Sequence, residues 1–120
     1  MNPAEELRLA ARLLRERAGT ATPGPWQHMC LGSEGCLVLR TSGTLRERGH
    51  GRVARFGHKE WKADHADAEY VASMHPAVAL AVADLLDKIA WMGELDADML
   101  SRVGCDEAIA IARACLGSGD

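Results

Sequence analysis

Apolar residues recur at helical spacing in the first part of the chain. The stripe consists of Leu7, Ala10, Ala11, Leu14 and Ala18, and is widened by Leu9 and Leu13. Asn2 precedes Pro3, which suits the first helical position, and Glu5 stands where the carboxylate of a capping box reaches back. Gly19 is typical of a helix end. The pattern therefore predicts a helix from about Pro3 to Ala18.

Short apolar runs separated by glycine-rich segments make up the middle of the chain. The segment from Thr20 to Pro25 holds two prolines and a glycine, which excludes regular structure. Three runs have the length of strands, namely Trp26 to Leu31, Cys36 to Arg40 and Arg52 to Phe56. Residues 32–35 have the length of a hairpin turn. We therefore expect a small antiparallel meander of three strands.

A helical pattern returns at Ala63. Asp64 is predicted to cap a helix in which one side carries Ala66, Tyr70, Val71 and Met74. Pro76 interrupts this pattern, and it either kinks a long helix or starts a new one with His75 as its cap. A new helix is favoured, because a proline at the first helical position has no cost.

This new helix carries an apolar seam with alternating spacings of four and three residues. The seam consists of Val78, Val82, Leu85, Ile89 and Met92. The spacing is typical of two helices that pack at a shallow angle, and it is too short for a free coiled coil. The partner is therefore either the first helix or another subunit, and we expect a homo-oligomer. Trp91 fills either the core or a subunit contact, and Gly93 is predicted to end the helix.

A last helix is predicted from about Asp106 to Leu116, and residues 117–120 are expected to be a frayed tail. The predicted class is α+β, with an N-terminal helix, a small antiparallel three-stranded meander and two to four C-terminal helices. The length of 120 residues and the even composition predict a single domain over residues 1–120.

The composition excludes several functional classes. The formal net charge of −3 argues against a nucleic-acid-binding protein. No apolar run has the length of a signal peptide or of a membrane span, so we expect a cytoplasmic protein without membrane contact. Walker, GxGxxG and HExxH motifs do not occur, and no motif presents a nucleophile on a strained turn. We therefore expect no catalytic residues, no enzymatic activity and no cofactor.

The middle of the chain is locally basic. Between positions 40 and 62 it carries seven basic residues against Glu47 and Glu60. The candidate residues for an anionic, nucleotide-like ligand are Arg46, Arg48, Arg52, Arg55 and Trp61. An exposed tryptophan beside lysines offers a stacking surface. The alternatives are a solvated hairpin surface and a tryptophan buried in the core.

Cysteines and histidines near the first hairpin form a candidate metal site. His28 and Cys30 share one strand face, and Cys36 follows the turn. Thiolates and imidazoles are zinc ligands, and the fourth ligand is one of His50, His58 or His65. No C-x-x-C pair occurs, so buried thiols beside a surface histidine are the other interpretation. A disulfide across the hairpin is geometrically possible, but in a reducing compartment all four cysteines are expected to be thiols.

Two segments carry a family resemblance. The first is Ala21-Thr22-Pro23-Gly24-Pro25-Trp26. The second is Ala66-Asp67-Ala68-Glu69-Tyr70-Val71-Ala72, followed by the alanine-rich segment from His75 to Asp87. In this order they resemble small uncharacterised proteins of actinobacterial phages and prophages. More distantly, they are similar to the ead-like early proteins of lambdoid phages. These segments cover about a quarter of the chain, and residues 27–62 are not part of the resemblance.

The resemblance implies a phage accessory protein without known catalytic residues, in which Trp26, Tyr70 and Val71 belong to the core. We therefore expect a non-enzymatic interaction or regulatory module that works as a homo-oligomer and contacts a host or phage protein. The alternative is a protein that binds or sequesters a small anionic ligand through its basic middle.

Overall fold

The computed structural model describes residues 1–30, 35–40, 52–57, 61–96, 98 and 105–117, and for residues 61–63 it describes the backbone alone. The elements are α1 (Pro3–Thr20), β1 (Trp26–Cys30), β2 (Cys36–Arg40), β3 (Arg52–Phe56), α2 (Trp61–Ser73), α3 (Pro76–Leu95) and α4 (Asp106–Leu116). The fold is α+β, as predicted, with an N-terminal helix, a three-stranded antiparallel sheet and then helices. Among the described elements, no helix combines the length and apolarity needed to cross a bilayer.

The chain groups into two compact units. The helical unit consists of Met1–Arg17 and Ala79–Asp120, and the sheet unit consists of Ala18–Val78. The helical unit therefore holds most of α1 and α3 together with α4. The sheet unit holds the three strands and α2. The expectation of one domain stays a prediction.

The core of the helical unit is built largely from alanine. Its buried residues are Leu7, Ala10, Ala11, Ala83, Leu86, Ala90, Ala108 and Ala112. Leu7 and Leu86 are its largest fully buried side chains. Methyl groups at so many contact positions allow the helices to pack closely, because ridges and grooves are shallow where side chains are small.

The start of α1 confirms the predicted capping box. The backbone N–H of Glu5 donates to Asn2 Oδ1 at 2.9 Å, and the backbone N–H of Asn2 donates to Glu5 Oε2 at 3.2 Å. Two backbone donors that lack partners at a helix start are thereby satisfied. The helix continues to Thr20, two residues beyond the predicted end.

The buried face of α3 differs from the predicted seam. Its buried residues are Ala83, Leu86, Ala90 and Gly93, each of which directly follows one of the last four predicted seam residues. The hydrophobic pattern of the sequence favoured the seam because its apolar side chains are larger, whereas three of the four buried residues are alanine or glycine. The prediction that Gly93 ends the helix is wrong, since α3 continues to Leu95. The glycine is buried instead, where its lack of a side chain suits close helix packing.

The sheet has the strand order β1-β2-β3, and both pairs of neighbours are antiparallel. Cys30 lies directly opposite Cys36, His28 opposite Val38, and Trp26 opposite Arg40. A register shift between Val38 and Leu39 marks an irregularity in the pairing of β2 with β3.

Helix α2 contributes Ala68 and Ala72 to a core shared with Cys36 and Val38 of the sheet. Trp26 packs against this core as expected, and its indole N–H donates to the carbonyl of Thr22 at 2.9 Å.

The predicted apolar side of α2 is corrected in part. Tyr70 and Met74 are 68% and 51% exposed, whereas Ala68 and Ala72 are buried and Val71 is partly buried. The alanine-rich sequence of α2 does not distinguish between its sides, and tertiary packing selects the side with the smaller side chains. Tyr70 therefore lies on the surface, contrary to the role that the resemblance implied.

Candidate functional site

The sheet unit brings a cysteine pair and two histidines together. Cys30 and Cys36 face the same side of the sheet as α2, because they are opposite one another and Cys36 belongs to the core shared with that helix. Their sulfur atoms are bonded, with Cα atoms 3.9 Å apart. The expectation of four thiols is therefore wrong for this pair, since the register places the two side chains in direct contact. Cys105 and Cys115 are thiols, as expected.

His65 of α2 completes this group, which we call the Cys–His cluster: His28, Cys30, Cys36 and His65. The Nδ1 atom of His65 lies 3.2 Å from Cys30 Sγ. The rings of His28 and His65 are edge to face, with centroids 5.1 Å apart. His28 precedes Cys30 by two residues on β1 and so lies on the same face.

The sequence analysis gave three histidines as candidates for the fourth ligand, and one of them lies in this cluster. His65 is that residue, whereas His50 and His58 lie outside the described residues. The sequence analysis did not group Glu69 with the cysteines, and its Oε2 atom lies 3.8 Å from His65 Nε2. The spacing of four residues between the two was the available signal, because residues i and i+4 share a helix face.

The residues proposed for an anionic ligand are described in part. Arg46 and Arg48 lie outside the described residues, as does the side chain of Trp61, whose backbone begins α2. Arg52 and Arg55 are exposed on β3.

The register shift brings these two arginines to one face of the sheet. Arg52 pairs with Leu39 and Arg55 with Leu37, and the two leucines are two residues apart on β2. Since side chains two apart on a strand share a face and paired residues point the same way, both arginines belong to the face opposite the core shared with α2. Without the shift, an odd separation would have placed them on opposite faces.

The five residues of the predicted seam have different environments in the structure. Val82 and Ile89 pack against the core of the helical unit, so they contact their own subunit. Leu85 is 49% exposed, and Met92 is partly buried. Val78 is partly buried in the sheet unit. Whether these residues contribute to an oligomer stays a prediction.

A different face of α3 is exposed and carries large apolar side chains. We call it the outward face and define it by Ala81, Asp84, Lys88, Trp91 and Leu95, which follow spacings of three and four residues. Trp91 is 57% exposed and Leu95 is 70% exposed. Leu80 flanks this face and is 43% exposed. In the sequence, the outward face has the same alternating spacing as the predicted seam, shifted by one position towards the N-terminus. It was not predicted as an apolar face because Asp84 and Lys88, at its centre, are charged.

Arginines of α1 border the same region of the helical unit. Arg8 pairs with Glu94, and Arg15 pairs with Asp87 and, at 2.9 Å, with Asp84. The hydrogen bond from Arg8 lowers the pKa of the Glu94 carboxyl below its ordinary value. The carboxylates in turn raise the pKa of both arginines, through their hydrogen bonds first. An open cleft of about 450 Å³ lies here and is lined by Arg8, Arg12, Arg15, Asp87 and Trp91.

No protein-family model, no curated protein and no solved structure matches this chain.

Proposed function

We propose that the protein is a non-enzymatic interaction or regulatory module that works as a homodimer through the outward face of α3. The observation that carries the proposal is the exposure of Trp91 and Leu95 on a single helix face. Large apolar side chains at helical spacing on a surface are typical of protein–protein contacts, and tryptophan is enriched among the residues that dominate binding energy.

The charges of this face favour a second copy of the same chain as the occupant. In an antiparallel pair with its two-fold axis near residue 86, Asp84 of each subunit lies opposite Lys88 of the other. The same axis places Trp91 opposite Ala81, so a large side chain meets a small one. Two-fold contacts require such self-complementarity, because each residue meets the symmetry-related surface. Asp84 also pairs with Arg15 within its own chain, and its carboxylate is 78% exposed and so accessible from outside.

The resemblance to phage early proteins supports an accessory role in the cytoplasm, with a host or phage protein as the target of the dimer.

Charge reversal at the centre of the face tests the proposal. Light scattering after size-exclusion chromatography should give a mass of twice 12.9 kDa for the unsubstituted chain. Lys88→Glu and Asp84→Lys should each be monomeric, because each homodimer places like charges opposite one another. An equimolar mixture of the two variants should form a heterodimer, since both opposing pairs are then of opposite charge.

Apolar substitutions provide the matched control. Trp91→Ala should weaken the dimer, whereas Leu9→Ala, which removes a 37% exposed leucine from α1, should leave it unchanged. A monomeric unsubstituted protein at every concentration would refute the dimer. A dimer that tolerates both Lys88→Glu and Trp91→Ala would refute the assigned face.

The second candidate function is binding of a small anionic ligand. The register shift in β3 favours it, because irregularities of this kind often redirect side chains next to functional sites. Arg52→Ala with Arg55→Ala should then abolish the rise in melting temperature that a nucleoside triphosphate produces, without changing the melting temperature of the free protein. An unsubstituted protein whose melting temperature does not respond to nucleotides would exclude this function for that ligand class.

A further inference from the structure

The Cys–His cluster contains two histidines beside its disulfide, and cysteine and histidine are the usual ligands of structural zinc. Cys30 and Cys36 supply two sulfurs, and His65 directs Nδ1 towards Cys30 Sγ at 3.2 Å. The ligand atoms of these three residues all lie within 4.8 Å of one another. They come from two strands and a helix of the same compact unit, so the backbone already brings them together.

We propose that Cys30, Cys36 and His65 bind a zinc ion when the disulfide is reduced, with His28 as the fourth ligand. Bond lengths of about 2.3 Å to sulfur and 2.0–2.1 Å to nitrogen place neighbouring ligand atoms of a tetrahedral site roughly 3.3–3.8 Å apart. The distance from Cys30 Sγ to His65 Nδ1 is close to that range. Cleavage of the S–S bond allows the sulfurs to separate to the same spacing.

His28 is the nearest candidate for the remaining position. Its ligand atom lies within 4.8 Å of those of His65 and Glu69, and its ring contacts the ring of His65. The proposal requires a change of side-chain rotamer to direct both His28 and Cys30 at one ion, and the two residues are on the same strand face.

Glu69 is a positioning residue in this site. It faces the Nε2 side of His65 at 3.8 Å, while Nδ1 faces the sulfur. Histidines that bind a metal usually donate their other N–H to a carboxylate or carbonyl, which fixes the tautomer and the ring orientation. In the zinc-bound form we expect Glu69 to close this 3.8 Å separation to hydrogen-bond distance.

Zinc is the ion that this ligand set favours. Two thiolates and two imidazoles in a tetrahedral arrangement are typical of structural zinc, whereas magnesium and calcium prefer oxygen ligands. The site forms only in the reduced protein, because the zinc ligand is the negatively charged thiolate and a disulfide sulfur is not a thiolate.

The conversion between the two forms can be driven with a phosphine. The phosphine takes one oxygen atom from water and becomes a phosphine oxide. The S–S bond accepts the two electrons and the two protons, and gives two thiols. Zinc binding then displaces both thiol protons, and two zinc–thiolate bonds form.

Cobalt titration of the full chain tests the proposal. In a Cys105→Ser, Cys115→Ser background, any thiolate signal must arise from the proposed pair. The phosphine-reduced protein should bind one equivalent of Co²⁺, with a thiolate-to-cobalt charge-transfer band and the visible bands of tetrahedral cobalt. Zinc should displace the cobalt. The air-oxidised protein of identical sequence should show neither band, which controls for unrelated sites.

Substitutions then distinguish the proposed zinc ligands from neighbouring residues that do not bind the metal. Circular dichroism shows whether each variant is folded. Cys36→Ser should weaken metal binding and reduce the charge-transfer band, because only one of the two thiolates remains. His65→Ala and His28→Ala should weaken zinc binding, while His75→Gln, in the same unit, should not.

Glu69→Gln should lower zinc affinity by about 10–100-fold and keep the cobalt spectrum, as expected of a residue outside the ligand set. Reduced protein that binds no metal would overturn the site. An unchanged cobalt spectrum in a folded His65→Ala variant would do the same, and unchanged affinity in His28→Ala would remove the fourth ligand.

Discussion

Two neighbouring leucines of α3 provide the sharpest test of how the helical unit is packed. Leu86 is fully buried in the core, and Leu85, the residue before it, is 49% exposed. Leu85 belongs to the predicted seam, whereas Leu86 belongs to the observed buried face. The two substitutions Leu86→Ala and Leu85→Ala make the same chemical change one residue apart in the same helix, so each is the control for the other.

The expected cost of Leu86→Ala follows from its surroundings. Removing a fully buried leucine side chain usually costs about 2–5 kcal/mol, as a transfer term plus a term for the cavity. Apart from Leu7, the other fully buried residues of this core are alanines, whose side chains cannot fill the space by changing rotamer, so only partly buried neighbours such as Leu14 and Ile89 can move into it. We therefore expect a cost of about 3–4 kcal/mol, which corresponds to a fall in melting temperature of roughly 10–15 °C.

The expected cost of Leu85→Ala is smaller because half of its side chain is already in water. The substitution leaves no enclosed cavity, and the higher helix propensity of alanine offsets part of the lost burial. A loss of under about 1 kcal/mol is expected.

Urea unfolding followed by far-ultraviolet circular dichroism measures both costs. Each variant should be measured at two protein concentrations, so that a contribution from dimer dissociation is recognised by its concentration dependence. An unchanged m-value would show that the denatured state is comparable between variants. Equal costs for the two substitutions, or a larger cost for Leu85→Ala, would refute the assigned buried face and favour the original seam.

Three further predictions address other parts of the molecule. Gly35→Ala should destabilise the protein strongly, because Gly35 has φ of +81° and an added Cβ would lie 2.4 Å from a backbone carbonyl oxygen; Gly19→Ala, which meets nothing within 4 Å, is the control for thermal melting. The pKa of Glu94 should rise towards its ordinary value of 4.5 in Arg8→Met, as NMR titration would show, and an unchanged value would contradict the ion pair. Because its folded-state pKa is lowered, Glu94 contributes stability above pH 4.5, and this contribution is lost as pH falls through the folded-state value. Under oxidising conditions without zinc, Cys36→Ser should lower the free energy of unfolding by about 2–4 kcal/mol, because it removes the disulfide. If the unsubstituted protein were equally stable in its reduced and oxidised forms, this prediction would be contradicted.

The local signals in the sequence were sufficient for most elements. The capping box at Asn2 and Glu5, and the proline at position 76, predicted helix starts that the structure confirms. The strands from Cys36 to Arg40 and from Arg52 to Phe56 were predicted with their observed bounds. These features depend on neighbours in sequence, so a single chain is enough to recognise them.

The faces of the helices were predicted less well, because burial depends on contacts that sequence spacing does not specify. In α3 and α2 the packed side is the one with alanines, while Leu85 is about half exposed and Tyr70 is 68% exposed. A hydrophobicity pattern gives more weight to large side chains, whereas close helix packing favours small ones.

The candidate site was predicted in composition but not in arrangement. His28, Cys30 and Cys36 were recognised because they are close along one hairpin. The selection of His65, and the disulfide itself, depended on the strand register and on how α2 lies against the sheet. Neither of these is encoded in local spacing.

The cysteine pair also has a consequence for the alignment of β1. This strand lies at an edge of the described sheet, where pairing partners act from one side only. A slip of one residue would turn its inner side chains outwards, and a slip of two would preserve the faces but change every partner. Cys30 meets Cys36 in the observed alignment and in neither alternative. Joined by a bond or bridged by an ion, the two sulfurs therefore hold the edge strand β1 in its observed register against β2.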